Sequence, residues 1–257
     1  MSMSSMFDLS GRVALVTGGS KGLGKAMARG FAEAGARVVI SSRHEDDLAK
    51  AAMEIGDGLD VDVEYVVTDM NDRAQVKQLA DTVLAKMTRV DILVNNAGSN
   101  VPQAIDEIED ADWDNILELN LTSVMVLTRA LVPQMKARKW GRVIHISSVL
   151  GVGSKEARNS YSATKSALLG LARASALDLG SFNVTVNCIA PGPFMTDLPM
   201  RLLNEEQKQQ FVSFTALGRW GDPREMAGPA LLLASDAGSY ITGATLLVDG
   251  GAFARAL

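Results

Sequence analysis

The sequence predicts an α/β fold, a doubly wound and mainly parallel sheet of seven strands flanked by helices, and two observations carry that prediction. Short β-branched runs alternate with long amphipathic stretches from one end of the chain to the other. Most of the short runs are also nearly continuous in apolar residues, as expected of strands covered on both faces. Alternation of this kind closes into a parallel sheet through right-handed crossovers.

In chain order the strands are expected at Val13–Thr17, Val38–Ser41, Glu64–Thr68, Ile92–Asn95, Val143–Ser147, Val184–Ile189 and Thr245–Val248. Helical patterns lie between them, at Leu23–Ala34, Ala74–Met87, Trp113–Met135 and Tyr161–Leu179. Glu45, Asp46 and Asp47 suit the first turn of a further helix, where acidic side chains complement the dipole. No Pro/Ser-rich linker, low-complexity tract or repeat divides the chain, so residues 1–257 read as one domain. One stretch, 191–223, breaks the rhythm. Its turn-rich entry (Pro191, Gly192, Pro193, Pro199) leads to a polar helix-like piece, Asn204–Gln210. Insertions of that length are usually functional or mobile loops. This one follows the strand ending at Ile189, on the sheet edge where α/β folds bind ligands, so it is expected to be a substrate lid.

Composition narrows the function classes. With 47% apolar residues the chain can bury a core without disulfides or metal. A net charge of −5 gives no basic footprint for nucleic acid. The one cysteine, Cys188, lies in the apolar run Val184–Ala190 and reads as a small buried hydrophobe. Met1–Asp8 lacks the pattern of a signal peptide, and no uninterrupted apolar run reaches bilayer-spanning length, so a soluble cytoplasmic protein is expected. The two histidines, His44 and His145, form no cluster at zinc-ligand spacing, and no metal is expected. A serine hydrolase needs a histidine base and a G-x-S-x-G elbow. The elbow is missing, and His145 reads as a packed strand residue.

Two motifs carry chemistry. The first strand runs through Thr17-Gly18-Gly19-Ser20-Lys21-Gly22-Leu23-Gly24 straight into a helix. Glycines let the backbone turn sharply and approach a diphosphate, and the helix N-terminus offers that anion unpaired N–H groups. Near the end of the second strand, where NAD-preferring sites carry an acidic residue, stand Ser42 and Arg43. With Lys21 inside the turn, these favour the 2′-phosphate of NADP(H), with NAD(H) second. The other motif is Tyr161 and Lys165, one helical turn apart on one face. An ammonium beside a phenol favours the phenolate and readies it for proton exchange. Ser148, at the end of the strand Val143–Ser147, points to the same edge and offers a hydroxyl to a developing oxyanion.

Taken together, the glycine turn, Asn95-Asn96-Ala97-Gly98, Asn120, Ser148, Tyr161-Ser162-Ala163-Thr164-Lys165 and Pro191-Gly192 resemble the short-chain dehydrogenase/reductase family over the whole chain. Ser148 precedes Tyr161 by thirteen residues, as in the family pattern. The resemblance implies that Tyr161 is the acid/base, Ser148 holds the substrate oxygen, Lys165 binds the nicotinamide ribose and Asn120 holds a relay water. It implies cofactor contacts from Gly18, Ser20, Lys21, Gly22, Leu23, Gly24, Ser42, Arg43, Asp69, Met70, Asn96, Ala97, Gly98, Tyr161, Lys165, Pro191, Gly192, Phe194 and Thr196. Asn95 reads equally well as a brace between strands.

The resemblance is nearest to 3-oxoacyl-(acyl-carrier-protein) reductases and to sugar-acid or polyol dehydrogenases such as gluconate 5-dehydrogenase. Small carbonyl/alcohol substrates, free or on an acyl carrier, are therefore the expected partners. Arg138 and Lys139 stand where the acyl-carrier reductases keep a basic docking patch, but Phe182 replaces its second cation. Asn100, Arg158 and Asn159 suit a polar or anionic substrate, while Met195, Leu198 and Met200 offer apolar lid contacts. The family implies a homotetramer. The alternative is an NADPH-binding regulator with little or no turnover, which would be expected to lack Tyr161 or Lys165.

Overall fold

A computed structural model of the chain describes residues 4–196, 200 and 203–254. The strands β1 (Val13–Thr17), β2 (Arg37–Ser42), β3 (Val63–Val67), β4 (Ile92–Asn95), β5 (Gly141–Ile146), β6 (Val184–Pro191) and β7 (Thr245–Val248) form one sheet. Its order is β3-β2-β1-β4-β5-β6-β7, and every recorded pair is parallel. The inner strands β1, β4, β5 and β6 are buried at every position, as their continuous apolar runs require, and β2 at all but its two end residues. The edge strands β3 and β7 are only partly covered. Chain order reverses between β1 and β4, and ligands of such sheets bind beyond the carboxyl ends of the strands at that switch point.

Helices cover both faces: α1 (Gly22–Glu33), α2 (Glu45–Gly56), α3 (Arg73–Met87), α4 (Asp110–Leu117), α5 (Ser123–Arg138), α6 (Asn159–Leu179), α7 (Glu205–Phe214) and α8 (Ala227–Ala234). On one face Met27 and Phe31 of α1, Leu48 of α2 and Leu233 of α8 pack against Ile40 and Ile144. On the other, Leu79 of α3, Leu127 and Leu131 of α5 and Leu168 of α6 pack against Leu93 and Val186. The stretch expected as one helix, Trp113–Met135, is instead α4 and α5 joined by a π-helical turn, Glu118–Thr122. The whole stretch Asp110–Arg138 has the length and hydropathy to cross a bilayer. Its Val124, Val126, Leu127, Leu131 and Met135 are buried in the second core layer. In the 191–223 segment α7 runs four residues past the expected Gln210, and the Asn204/Gln207 capping box fixes its start.

At the amino edge of the sheet lies a polar cluster that the sequence gives no sign of. Asp91 is fully buried and accepts a hydrogen bond from Val13 N at 2.9 Å. Arg89 also donates to it, Arg138 pairs with it at 3.3 Å, and Arg12 lies 4.0 Å away. Arg138 further donates to Val90 O at 3.0 Å and to Gln134 Oε1 at 2.5 Å. The arginine assigned to a docking patch thus faces inward, because a buried carboxylate needs cations. Beside it, Lys136 covers the Phe182 ring at 4.3 Å from its centroid.

Replacing Asp91 with alanine strands these guanidinium groups and the Val13 N–H. We expect a loss of about 3–5 kcal/mol in unfolding free energy by urea titration; a loss below about 1 kcal/mol would show that the cluster is solvated.

Candidate active site

The glycine turn is built for close approach. Gly18 has φ +63°, and a Cβ there would lie 2.8 Å from Asn96 Nδ2. Behind it the Asn96 amide donates to Thr17 O (2.9 Å) and Gly18 O (3.1 Å), and the Thr17 hydroxyl accepts from Asn96 N and Ala97 N. Asn96 and Ala97 therefore brace the turn from behind. Asn95 braces too, reaching Thr128 Oγ1 and His145 Nδ1. The turn delivers α1, which has no side-chain cap and no acidic residue in its first turn. Its leading N–H groups and dipole are left to an anion. Thr196 closes over this point: its methyl would lie 3.2 Å from a Cβ on Gly22.

At the end of β2 the hydroxyl oxygens of Ser41 and Ser42 are buried without a partner among the described residues. Arg43 next to them is exposed and enters none of the described ion pairs. Lys21 is not free: it pairs with Asp47 at 2.6 Å, and that contact holds the Asp47 carboxyl below its ordinary range. The acidic residues expected only to begin α2 thus also compete for Lys21. After β3, the Asp69 carboxylate accepts from Asn71 N at 3.0 Å and Met70 is buried.

The chemical end forms where β4, β5 and α6 converge. The Lys165 ammonium is buried and donates to Ile146 O at 2.7 Å, 5.6 Å from the centroid of the Tyr161 ring. Ser147 Oγ ties the Lys165 carbonyl to β5 at 2.8 Å. Burial lowers the Lys165 pKa to about 8. Burial also raises that of Tyr161, with the Ser148 hydroxyl and the Arg158 guanidinium acting in the opposite direction. Loss of water is the largest influence on the phenol and outweighs these two. Asn120 sits fully buried in the π-helical turn. It accepts from Ser99 N (2.9 Å) and donates to Ser99 O (2.9 Å) and Thr164 Oγ1 (3.2 Å), so it locks the loop after β4 to α6. Gly98 must be small here, since a Cβ would lie 3.0 Å from Asn120 Oδ1 and 3.3 Å from Lys165 Nζ.

The rim comes from β6. Gly192 N donates to Val248 O at 2.9 Å, and Phe194 is buried, bridging to Gly221. Met195 is half exposed and Met200 partly buried, while Leu198 lies outside the described residues. His145, held near pKa 4 by burial, is neutral, and Cys188 is pushed up to about 12, so neither serves as base or nucleophile at neutral pH. Among the described residues there is no cluster suited to a metal ion.

The Lys165 value has a consequence for stability. It lies below the ordinary 10.5, so the unfolded chain binds more protons between pH 8 and 10.5 and stability rises with pH across that window. Lys165→Met should therefore raise unfolding free energy by about 1–3 kcal/mol at pH 7, with the gain fading by pH 10.5. A lower melting temperature for the variant at pH 7 would contradict this.

A family model described as short chain dehydrogenase matches residues 12–207. The chain is 39% identical over 246 residues to nodulation protein G of Rhizobium sp. (strain N33), covering 96% of this chain and 98% of that protein. Among solved structures it resembles a gluconate 5-dehydrogenase from Burkholderia cenocepacia in complex with NADP and tartrate, at 35% identity and TM-score 0.93 over 99% of this chain and 100% of the other. It also resembles a 3-oxoacyl (acyl-carrier-protein) reductase from Agrobacterium tumefaciens with NADP bound, at 35% identity and TM-score 0.92 over 97% of each chain. With the fold and these likenesses in agreement, the chain belongs to the short-chain dehydrogenase/reductase family, oxidoreductases that act on CH–OH or ketone substrates.

Proposed function

We propose that this enzyme interconverts a ketone and a secondary alcohol with NADP(H), using Tyr161 as its acid/base. The observation that carries the reading is the buried ammonium of Lys165 beside the Tyr161 phenol, with Ser148 near, on the sheet edge that also carries the glycine turn. The turn fits a dinucleotide: its glycine leaves no room for a side chain, and α1 presents uncapped N–H groups. The unpartnered Ser42 hydroxyl and unpaired Arg43 favour a 2′-phosphate, and two solved relatives hold NADP. NAD(H) stands second.

When bound, the nicotinamide supplies or takes up the hydride. Ser148 donates a hydrogen bond to the substrate oxygen, and Tyr161 passes its proton to that oxygen as negative charge develops. The phenolate left behind is stabilised by the Lys165 ammonium, which offsets the burial that otherwise disfavours it. Asn120 positions the Ser99 loop against this corner, from which a proton relay would leave. Pro191, Gly192, Phe194 and Thr196 close the nicotinamide end, and the 191–223 segment acts as the lid.

Two substrate classes follow from the relatives, a 3-oxoacyl thioester and a sugar acid or polyol. A homotetramer is supported by apolar surface on α6 and around β7, where Leu177 is 86% exposed and Leu247 42%. Cytoplasmic residence is part of this reading. The alternative, a regulator that binds NADPH without turnover, has no observation in its favour.

Tyr161→Phe removes only the proton donor. We expect kcat to fall at least 100-fold with the Kd for NADPH changed less than about threefold; retained turnover would mean that another group carries the proton. Arg43→Asp should lower the NADPH-over-NADH ratio of kcat/KM about tenfold or more, and an unchanged ratio would remove Arg43 from the site. Asp47→Ala frees Lys21, so it should tighten NADPH a few-fold and leave NADH unaffected, read by fluorescence titration.

A further inference from the structure

We propose that Arg158 binds a carboxylate of the substrate, so that the ketone taken by this enzyme is an oxo acid. The proposal rests on the reading of Tyr161 as acid/base, because it places the anion site relative to that phenol. Arg158 is the N-cap residue of α6, three positions ahead of Tyr161, and its guanidinium acts electrostatically on the Tyr161 phenol. An ion pair at Arg158, at the mouth of the helix that carries Tyr161, therefore sets a carboxylate near the carbonyl being reduced.

The backbone under Arg158 is fixed from both sides. Ala157 takes φ +56° and accepts from Gln103 N at 3.1 Å. Gln103 bridges to Arg158, and Asn159 Nδ2 donates back to Gln103 O at 3.1 Å. The loop after β4 and the loop before α6 are thus stitched together at the position that carries the cation.

That cation is unanswered. Among the described residues no carboxylate pairs with Arg158 and no acceptor engages its guanidinium, although the side chain is only partly exposed and its charge reaches the Tyr161 phenol. The arginines at the amino edge differ, since Arg12, Arg89 and Arg138 all face Asp91. A partly buried guanidinium without a counter-ion favours binding of a planar anion.

A second, independent observation lies on the facing loop. Asn100 Oδ1 is buried and has no partner among the described residues. Asn100 stands between Gly98, which abuts Lys165 Nζ, and Gln103, which is stitched to Arg158. An unsatisfied buried acceptor takes an O–H, so a hydroxyl on the same substrate fits beside the carboxylate. A hydroxylated oxo acid meets both groups, whereas a thioester brings no negative charge to the guanidinium.

The test compares an oxo acid with its uncharged methyl ester, 4-oxopentanoate with methyl 4-oxopentanoate, and adds 5-ketogluconate. NADPH oxidation is followed for wild type, Arg158→Gln and Arg158→Lys. In Arg158→Gln the ratio of kcat/KM for acid over ester should fall about 30-fold, mainly through KM, and Arg158→Lys should recover part of it. An unchanged ratio overturns the proposal. So does an equal loss on acid and ester with an alkaline shift of the pH profile, because Arg158 would then act only on Tyr161. If wild type binds NADPH yet reduces none of these compounds, the redox reading loses its support. Calorimetric titration of 5-ketogluconate into the NADP+ complex then decides Arg158 alone: the Gln variant should bind at least tenfold more weakly, and equal or undetectable binding in both proteins overturns the proposal.

Discussion

A charged amine held away from water is the constraint around which this molecule is arranged. Lys165 is 4% exposed, and the one acceptor recorded for its ammonium is the carbonyl of Ile146, the last residue of β5. Removing an ammonium from water costs several kcal/mol unless a partner replaces the lost hydration. Its surroundings follow from that need. Gly98 leaves room for the ammonium, the π-helical turn carries Asn120 inward to fix the adjoining loop, and Ser147 pins α6 to the sheet. Burial pushes the Lys165 amine pKa down and the Tyr161 phenol pKa up, so each group pays for its place away from water.

Much of this was legible in the sequence for a physical reason. Parallel strands covered on both faces must be apolar throughout, so β1 and β4 fall where the sequence places them, and β6 differs only by extending to Pro191. A glycine turn between strand and helix, and a tyrosine and lysine one turn apart, are local patterns whose geometry survives folding. Edge strand β3 departs by one residue at each end, since partial exposure blurs its pattern.

Other features depend on contacts between distant residues and leave no local trace. Asp91 and Arg138 are 47 positions apart, and only the sheet brings them together, which turns a surface cation into a core neutraliser. Lys21 and Asp47 meet because β1 and β2 are neighbours, so a cation assigned to a phosphate is already engaged by a carboxylate. The π-helical turn at Asn120 sits inside a continuous apolar pattern that reads as ordinary helix. Periodicity also could not reveal that Arg158 has no counter-ion among the described residues, because an unpaired charge is defined by what surrounds it.

The proposed acid/base role requires the Tyr161 phenol to change ionisation in step with the dinucleotide site. The protein has three tyrosines, so carbon-13 labelling of their rings, with Tyr161→Phe for assignment, allows each to be titrated by NMR. Tyr161 is expected to titrate above its ordinary pKa in the free protein and to fall below it when NADP+ saturates the site. The same titration with and without NADP+ would contradict it.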